Sequence, residues 1–164
     1  MNAISSIAIA GEETNVPTRI GRSSGHIFRS RLLDKLAEIE TWAVGRLRAA
    51  GTGKKALPTL GLKLGAVRKL TESHPQLFRK ALTAAQLLDD LRPFQELRSS
   101  LAHSVLTDGR AEDGTNMCAF DQADSDGSMP WRDRIVIRED EFGQVISRVS
   151  DIANQLQQQI PSGN

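Results

Sequence analysis

The sequence predicts a mainly α protein: a helical bundle of four to five helices with a small β-hairpin before the C-terminal helix. Apolar residues recur every three or four positions along several long segments, which is the spacing of one helix face. Two short segments within about 116–138 instead flank a polar loop, as in a hairpin. The length of 164 residues fits one domain with its own hydrophobic core.

The first helix is predicted from Ser23 or Ser24, either of which can cap it, to about Ala50. Its apolar positions are spaced by three or four residues: Phe28, Leu32, Leu36, Ile39, Ala43 and Leu47. Residues 1–22 are rich in Gly, Thr and Asn and have no sustained period. They are expected to form a flexible N-terminal arm, and residues 23–164 a single helical domain.

The second helix is predicted over Pro58–Ser73, ending before the next proline. A third helical pattern comprises Leu77, Ala81, Ala84, Leu88 and Leu91. Pro93 interrupts or restarts that helix, and the buried stripe then continues through Phe94, Leu97, Leu101 and Val105. The helical character is expected to end at the Asp108-Gly109 turn.

The hairpin is predicted from strands at 116–122 and 131–138, which lie on either side of the polar loop 124–127. The last helix is predicted over about 139–160, because three acidic residues open it and apolar residues recur along it.

Composition excludes several classes of protein. Hydrophobic residues make up 39% and charged residues 25% of the chain, which is too apolar for a disordered protein. The net charge of +1 argues against a uniformly basic nucleic-acid coat. The charge is divided unevenly, however: residues 1–100 hold 16 basic and 9 acidic residues, and residues 101–164 hold 5 and 11. A local polyanion-facing surface is compatible with that pattern, as is pairing between the two parts.

We expect no membrane span, no signal peptide, no metal and no cofactor. No window reaches the apolar length of a transmembrane helix, and the single Cys118 excludes an intramolecular disulfide. The three histidines and Cys118 have no metal-ligand spacing. The Gly51–Lys55 run lacks the first glycine and the final Ser or Thr of a phosphate-binding loop. A cytoplasmic location follows as the simplest expectation.

The most informative stretch of the sequence is the helical segment that contains Arg98 and His103. On a continuing helix these two residues flank an arc directed away from the core, with Ala102 and Leu106 between them. Such a small, partly apolar face suits close contact with a second helix. The alternative is that all of these residues are solvated.

Arg98-x4-His103, within Leu-Arg-Ser-Ser-Leu-Ala-His, resembles the Arg-x4–6-His signature of the HEPN (higher eukaryotes and prokaryotes nucleotide-binding) superfamily. Two other pairs, Arg19/His26 and Arg68/His74, fit the spacing alone, so the helical context singles out Arg98/His103. The resemblance implies a small helical domain over roughly residues 24–160. Many such domains are metal-independent ribonucleases of toxin–antitoxin, anti-phage or RNA-processing systems.

The resemblance also implies roles for individual residues. Arg98 and His103 are the expected catalytic residues of a homodimeric composite site, with Ser99 and Glu96 in support. RNA is the implied substrate, and a cognate antitoxin protein is an implied partner. Basic residues of the first helix are candidates for lining an RNA path: Arg29, Arg31, Arg46 and Arg48.

Three functional hypotheses follow. The first is a HEPN-type endoribonuclease that serves as a toxin or as a component of an anti-phage system. The second is a non-catalytic HEPN-like module that binds a nucleotide, RNA or a protein. Ser99 favours this hypothesis, because the family commonly has Asn or another strongly polar residue after the arginine. The third is an unrelated helical regulatory protein, in which Arg98 and His103 are surface residues.

Overall fold

A computed structural model of the chain describes residues 20–52, 57–122 and 133–161. The helices in these ranges are α1 (Ile20–Ala49), α2 (Leu60–Ser73), α3 (Ala81–Asp90), α4 (Arg92–His103) and α5 (Glu139–Gln157). The strands are β1 (Val105–Arg110), β2 (Asn116–Gln122) and β3 (Asp133–Arg138), which follow α4 and precede α5. A short 3-10 turn, Pro75–Leu77, joins α2 to α3. The predicted mainly helical fold with a small β element before the C-terminal helix is confirmed.

The long helix α1 is the centre of the bundle. It packs against α2, α4, α5 and β1, and one of its faces is buried along most of its length. Leu32 and Leu36 are fully buried in the middle of this face. Near its start, the Phe28 ring stacks on Phe142 of α5 with ring centroids 4.3 Å apart. The helical period read from the sequence is therefore the period of the core.

Local signals set the ends of the helices. Thr59 caps α2, its hydroxyl accepting a hydrogen bond from the Leu62 amide at 3.3 Å. Pro93 lies in the first turn of α4, where a proline costs no helical hydrogen bond. After α1, Gly51 has φ +70, a conformation that favours glycine and ends the helix.

The sheet packs one face against the helices. β2 is central and pairs antiparallel with β1 and β3. Phe120 lies between Leu106 of β1 and Ile135 of β3, and its ring is 6.4 Å from that of Phe28. Val136, which alternates with this row, is exposed on the other face, where Arg134 covers the buried carboxylate of Asp121. The sheet is therefore one half-buried layer that closes the bundle.

The prediction that α4 continues through Val105 is wrong. The helix ends at His103, and Ser104 is extended with φ −97 and ψ 154. Val105 begins β1 and is 55% exposed, and Leu106 belongs to the sheet row described above. The predicted helical arc containing Ala102 and Leu106 therefore does not exist, because strand pairing replaces the helix after His103.

The turn predicted at Asp108-Gly109 is also misplaced. Gly109 pairs with Met117 inside the ladder between β1 and β2. The turn uses the next Asp-Gly pair, where Gly114 has φ +82 and the Asp113 carboxylate accepts from the Thr115 amide. Two equivalent turn dipeptides lie close together in the sequence, and cross-strand pairing selects the second.

The remaining boundaries agree with the predictions to within a few residues. Helix α1 begins at Ile20, before the predicted start, so the last residues of the predicted arm belong to it. The rest of the arm, residues 1–19, and the loop 124–127 lie outside the described residues. No helix in the described ranges is long and apolar enough to cross a membrane.

Candidate functional site

Arg98 and His103 both lie on α4, the helix that leads into the sheet. Their separation of five residues corresponds to about 7.5 Å along the helix axis and about 140° around it. Arg98 is half-buried beside α1, whereas His103 is exposed. No hydrogen bond or ion pair joins the two side chains. The chain therefore presents the guanidinium and the imidazole on different sides of one helix.

Arg98 belongs to a charged cluster formed by three helices. Its guanidinium lies 3.7 Å from a carboxylate oxygen of Glu40 on α1, and Lys63 of α2 hydrogen-bonds to the same carboxylate. One carboxylate thus faces two cations, which leaves one net positive charge in the cluster. The distance of 3.7 Å is too long for a hydrogen bond, so the N–H groups of Arg98 keep their capacity to donate to a phosphate.

The His103 imidazole is exposed and has no hydrogen-bond or ion-pair partner in the described part of the chain. It is the last residue of α4. An exposed imidazole without a partner in the chain is free to contact a ligand.

Arg29 holds the end of α4 from α1. Its Nη2 donates to the carbonyl oxygen of Ala102 and its Nη1 to that of Ser104, both at 3.3 Å. These two carbonyls stand on either side of His103 in the backbone. The Ser104 hydroxyl donates to the carbonyl of Leu101 at 3.5 Å. Side chains thus satisfy carbonyls that the end of a helix leaves without partners.

A close approach between α1 and the sheet lies one turn before Arg29. A Cβ atom added to Gly25 would lie 2.5 Å from Cys118 Sγ and 3.2 Å from a Leu106 methyl group. Only a residue without a side chain fits at that distance. Gly25 therefore allows α1 to lie against β1 and β2, immediately beyond the end of α4.

The environment of Cys118 suppresses its ionisation. Burial is the main cause that raises the pKa of the Cys118 thiol to about 12; a hydrogen bond to Asp108 at 3.5 Å and the negative charges of Asp108 and Glu139 contribute to the same rise. Its side chain is 3% exposed. This cysteine is a packing residue and not a reactive thiol.

We expect Cys118 to react slowly with a thiol reagent such as DTNB at pH 8, because the thiolate is the reactive form. In a Cys118→Ala background, Ala119→Cys should react faster, since that position lies on the opposite face of β2 and is half-buried. Equal labelling rates would contradict the conclusion that the Cys118 thiol is buried and protonated.

The same pKa predicts a loss of stability at alkaline pH. Folding raises the pKa of this thiol from 9.0 to about 12, so the protonated thiol contributes to the free energy of unfolding. This contribution is complete below pH 9 and is lost as the pH rises toward 12. The urea midpoint of the wild-type chain should therefore fall more steeply over this range than that of Cys118→Ala.

The two predicted supporting residues make no hydrogen bond or ion pair with His103. Ser99 and Glu96 are both exposed on α4. Glu96 contributes its backbone carbonyl to the Ser100 hydroxyl at 3.4 Å. Their supporting role stays a prediction that depends on a ligand or a second protomer.

The four candidate arginines of α1 divide into two groups. Arg29 and Arg46 donate to backbone carbonyls, Arg46 to that of Leu77 at 3.1 Å, so both act within the fold. Arg31 and Arg48 are exposed. The assignment of Arg31 and Arg48 to RNA binding stays a prediction.

The competing pair Arg68/His74 has a different environment. Arg68 hydrogen-bonds to Glu72 at 2.8 Å and to Asp89, contacts that raise the pKa of its guanidinium. His74 Nδ1 lies 2.9 Å from the Ser73 hydroxyl. Because two carboxylates occupy Arg68, this pair is less suited to bind a phosphate than Arg98 and His103.

Sequence reasoning missed three contributors to the site: Glu40, Lys63 and Gly25. It also missed that Arg29 binds the end of α4. Each of these residues reaches α4 or β1 from another element, so a local pattern gives no signal for it. Gly25 alone gives a local signal. A glycine within a helix lowers stability, so its presence there indicates that another part of the chain packs closely against the helix.

The described residues contain no group of three or more His, Cys, Asp or Glu side chains able to hold a metal ion. In comparisons with known proteins, no family model, no curated protein and no solved structure matched the chain.

Proposed function

We propose that this protein is a HEPN-like, metal-independent endoribonuclease that acts as a homodimer. The observation that supports the proposal is the pair of functional groups on α4. His103 offers an exposed, unpartnered imidazole at the end of the helix, and Arg98 keeps its N–H donors available beside Glu40.

The chemistry of RNA cleavage fits these groups. A base removes the proton of the 2′-hydroxyl, and the 2′-oxygen attacks the adjacent phosphorus. The bond from phosphorus to the 5′-oxygen then breaks while an acid protonates that oxygen. The products are a 2′,3′-cyclic phosphate and a 5′-hydroxyl. His103 is the proton carrier, and Arg98 stabilises the charge of the phosphorane.

One protomer supplies only part of this set, because the reaction needs both a base and an acid and one chain brings one imidazole to α4. Two protomers related by a two-fold axis supply two histidines and two arginines. The net positive charge of the cluster Glu40, Lys63 and Arg98 favours a phosphate at the same place. Lys63 thereby joins the proposed phosphate site.

The test is cleavage of a labelled RNA by EDTA-treated protein. His103→Gln should lower the cleavage rate by about 100- to 10,000-fold, the usual contribution of general acid–base catalysis. His74→Gln is the matched control, because His74 has a similar spacing from an arginine. Its rate should equal that of the wild type.

Two results would contradict the proposal: no cleavage by the EDTA-treated wild type across varied RNAs, or wild-type cleavage by His103→Gln. Sedimentation of the active protein as a monomer would remove the two-histidine mechanism. An inhibitory antitoxin partner belongs to the same proposal and derives from the resemblance alone. A cytoplasmic setting is also part of the proposal and derives from the single cysteine and the absence of a long apolar segment in the sequence.

A second candidate function is a non-catalytic module that binds RNA or a protein. It is favoured by the ion pair of Arg98 with Glu40, which gives Arg98 a role in joining helices, and by Ser99 after the arginine. RNA capture without cleavage, lost in Arg98→Ala and retained in His103→Gln, would support this candidate over the first.

A further inference from the structure

The backbone changes from helix to strand at His103. α4 ends at this residue, Ser104 is extended, and β1 begins at Val105. The exposed His103 ring has no hydrogen bond of its own in the described part of the chain. Its position therefore depends on how firmly this junction is held.

Two hydrogen bonds from the Arg29 side chain attach the junction to α1. Its planar guanidinium donates to the carbonyls of Ala102 and Ser104 together, so one rigid group holds the backbone on both sides of His103. The contact is part-buried and joins residues more than 70 positions apart in the chain. A positive charge at the C-terminal end of a helix is also favourable for the helix dipole.

Gly25 complements this contact one helical turn earlier. Its missing side chain brings α1 against Cys118 and Leu106, which lie in the strands next to the junction. Residues four apart lie on the same helix face, so Gly25 and Arg29 meet the sheet and the end of α4 together. Helix α1 thus contacts the junction by packing and by hydrogen bonding.

From these contacts we infer that Arg29 is a positioning residue for His103, an inference that rests on the proposed function for its catalytic consequence. Arg29 does not touch the substrate in this assignment. It fixes the backbone that carries the imidazole, and a displacement of about 1 Å at a catalytic group can cost on the order of 100-fold in rate.

The experiment compares Arg29→Met and Arg29→Lys with Arg148→Met. Arg148 is the matched control, because it is an exposed arginine of α5 that lies outside the proposed site and pairs with Asp90 of α3. Arg29→Met should lower kcat for RNA cleavage by about 100-fold with a smaller change in KM. Arg29→Lys keeps the charge but cannot donate to both carbonyls from one planar group. Its kcat should lie between those of the wild type and Arg29→Met. Arg148→Met should keep the wild-type kcat.

A second readout follows the ring signals of the histidines by NMR in the folded protein. In Arg29→Met the Cε1–H signal of His103 should shift or broaden, while that of His74, at the end of α2, should stay in place. Arg148→Met should leave both signals unchanged. This readout needs no ribonuclease activity, so it separates failure of the positioning role from failure of the proposed function.

The outcomes are distinct. A wild-type chain that cleaves no RNA, with a shifted His103 signal in Arg29→Met, would reject the nuclease and keep the positioning role. An unchanged His103 signal and unchanged kcat in a folded Arg29→Met would overturn the inference. So would a melting temperature that falls while both the signal and kcat stay at wild-type values, since Arg29 would then be a stability residue only.

Discussion

Replacement of Phe120 by alanine is expected to lower the free energy of unfolding by about 3–5 kcal/mol. Phe120 is 1% exposed in the middle of the central strand, and its ring faces Phe28 of α1. The substitution removes a ring from the boundary between sheet and bundle, and Leu106 and Ile135 on either side cannot fill the space without moving their strands. Whole domains are stable by only about 5–15 kcal/mol, so the effect is large.

Urea denaturation followed by circular dichroism measures this loss. The matched control is Val136→Ala, a truncation in the same sheet on the face that points away from the helices, where Val136 is 49% exposed. It should cost less than about 1 kcal/mol, the range of strand propensity alone. Equal losses for the two variants would mean that the buried and exposed faces of the sheet are reversed.

The helices could be predicted from the sequence because their signals are local. Leu32, Leu36 and Ile39 recur at helical spacing, and all three are fully buried in the structure. Strand β1 could not be predicted in the same way. Leu101 and Val105 continue the helical spacing, so the pattern alone extends α4, whereas pairing of Val105 with Asp121 makes the residue part of a sheet. A pattern within one segment does not contain the information about its partner strand.

The residues of the candidate site also differ in whether a local sequence pattern can reveal them. Arg98 and His103 are found from the sequence because their helix and spacing are local features. The residues around them come from elsewhere: Glu40 from α1, Lys63 from α2, and Arg29 from the start of α1. In the sequence, Arg29 is one of several basic residues on a predicted helix. Only the packing of α1 against the end of α4 distinguishes it from the exposed Arg31.

The second large effect is expected at Gly25. Whether Gly25→Ala lowers or raises the free energy of unfolding should depend on the residue at position 118. Gly25→Ala places a Cβ 2.5 Å from Cys118 Sγ, and relieving such an overlap in a packed core costs about 1–3 kcal/mol. Alanine in place of glycine within a helix gains about 1 kcal/mol. Because the cost of the clash exceeds the helical gain, we expect Gly25→Ala to destabilise the wild-type chain. Gly45→Ala, in the same helix with nothing within 4 Å of the added Cβ, should instead stabilise it.

Removing the sulfur should reverse the result at Gly25. Cys118→Ala alone leaves a small cavity and costs about 1 kcal/mol. In that background the new methyl group of Gly25→Ala takes the space that Sγ vacates, and only the tighter contact with Leu106 at 3.2 Å opposes the helix gain. The double variant should then be at least as stable as Cys118→Ala, which gives a coupling energy of about 1–3 kcal/mol in a double-mutant cycle. Additive losses would show that α1 and β2 do not meet at Gly25, and the arrangement that brings Arg29 to the end of α4 would lose its basis.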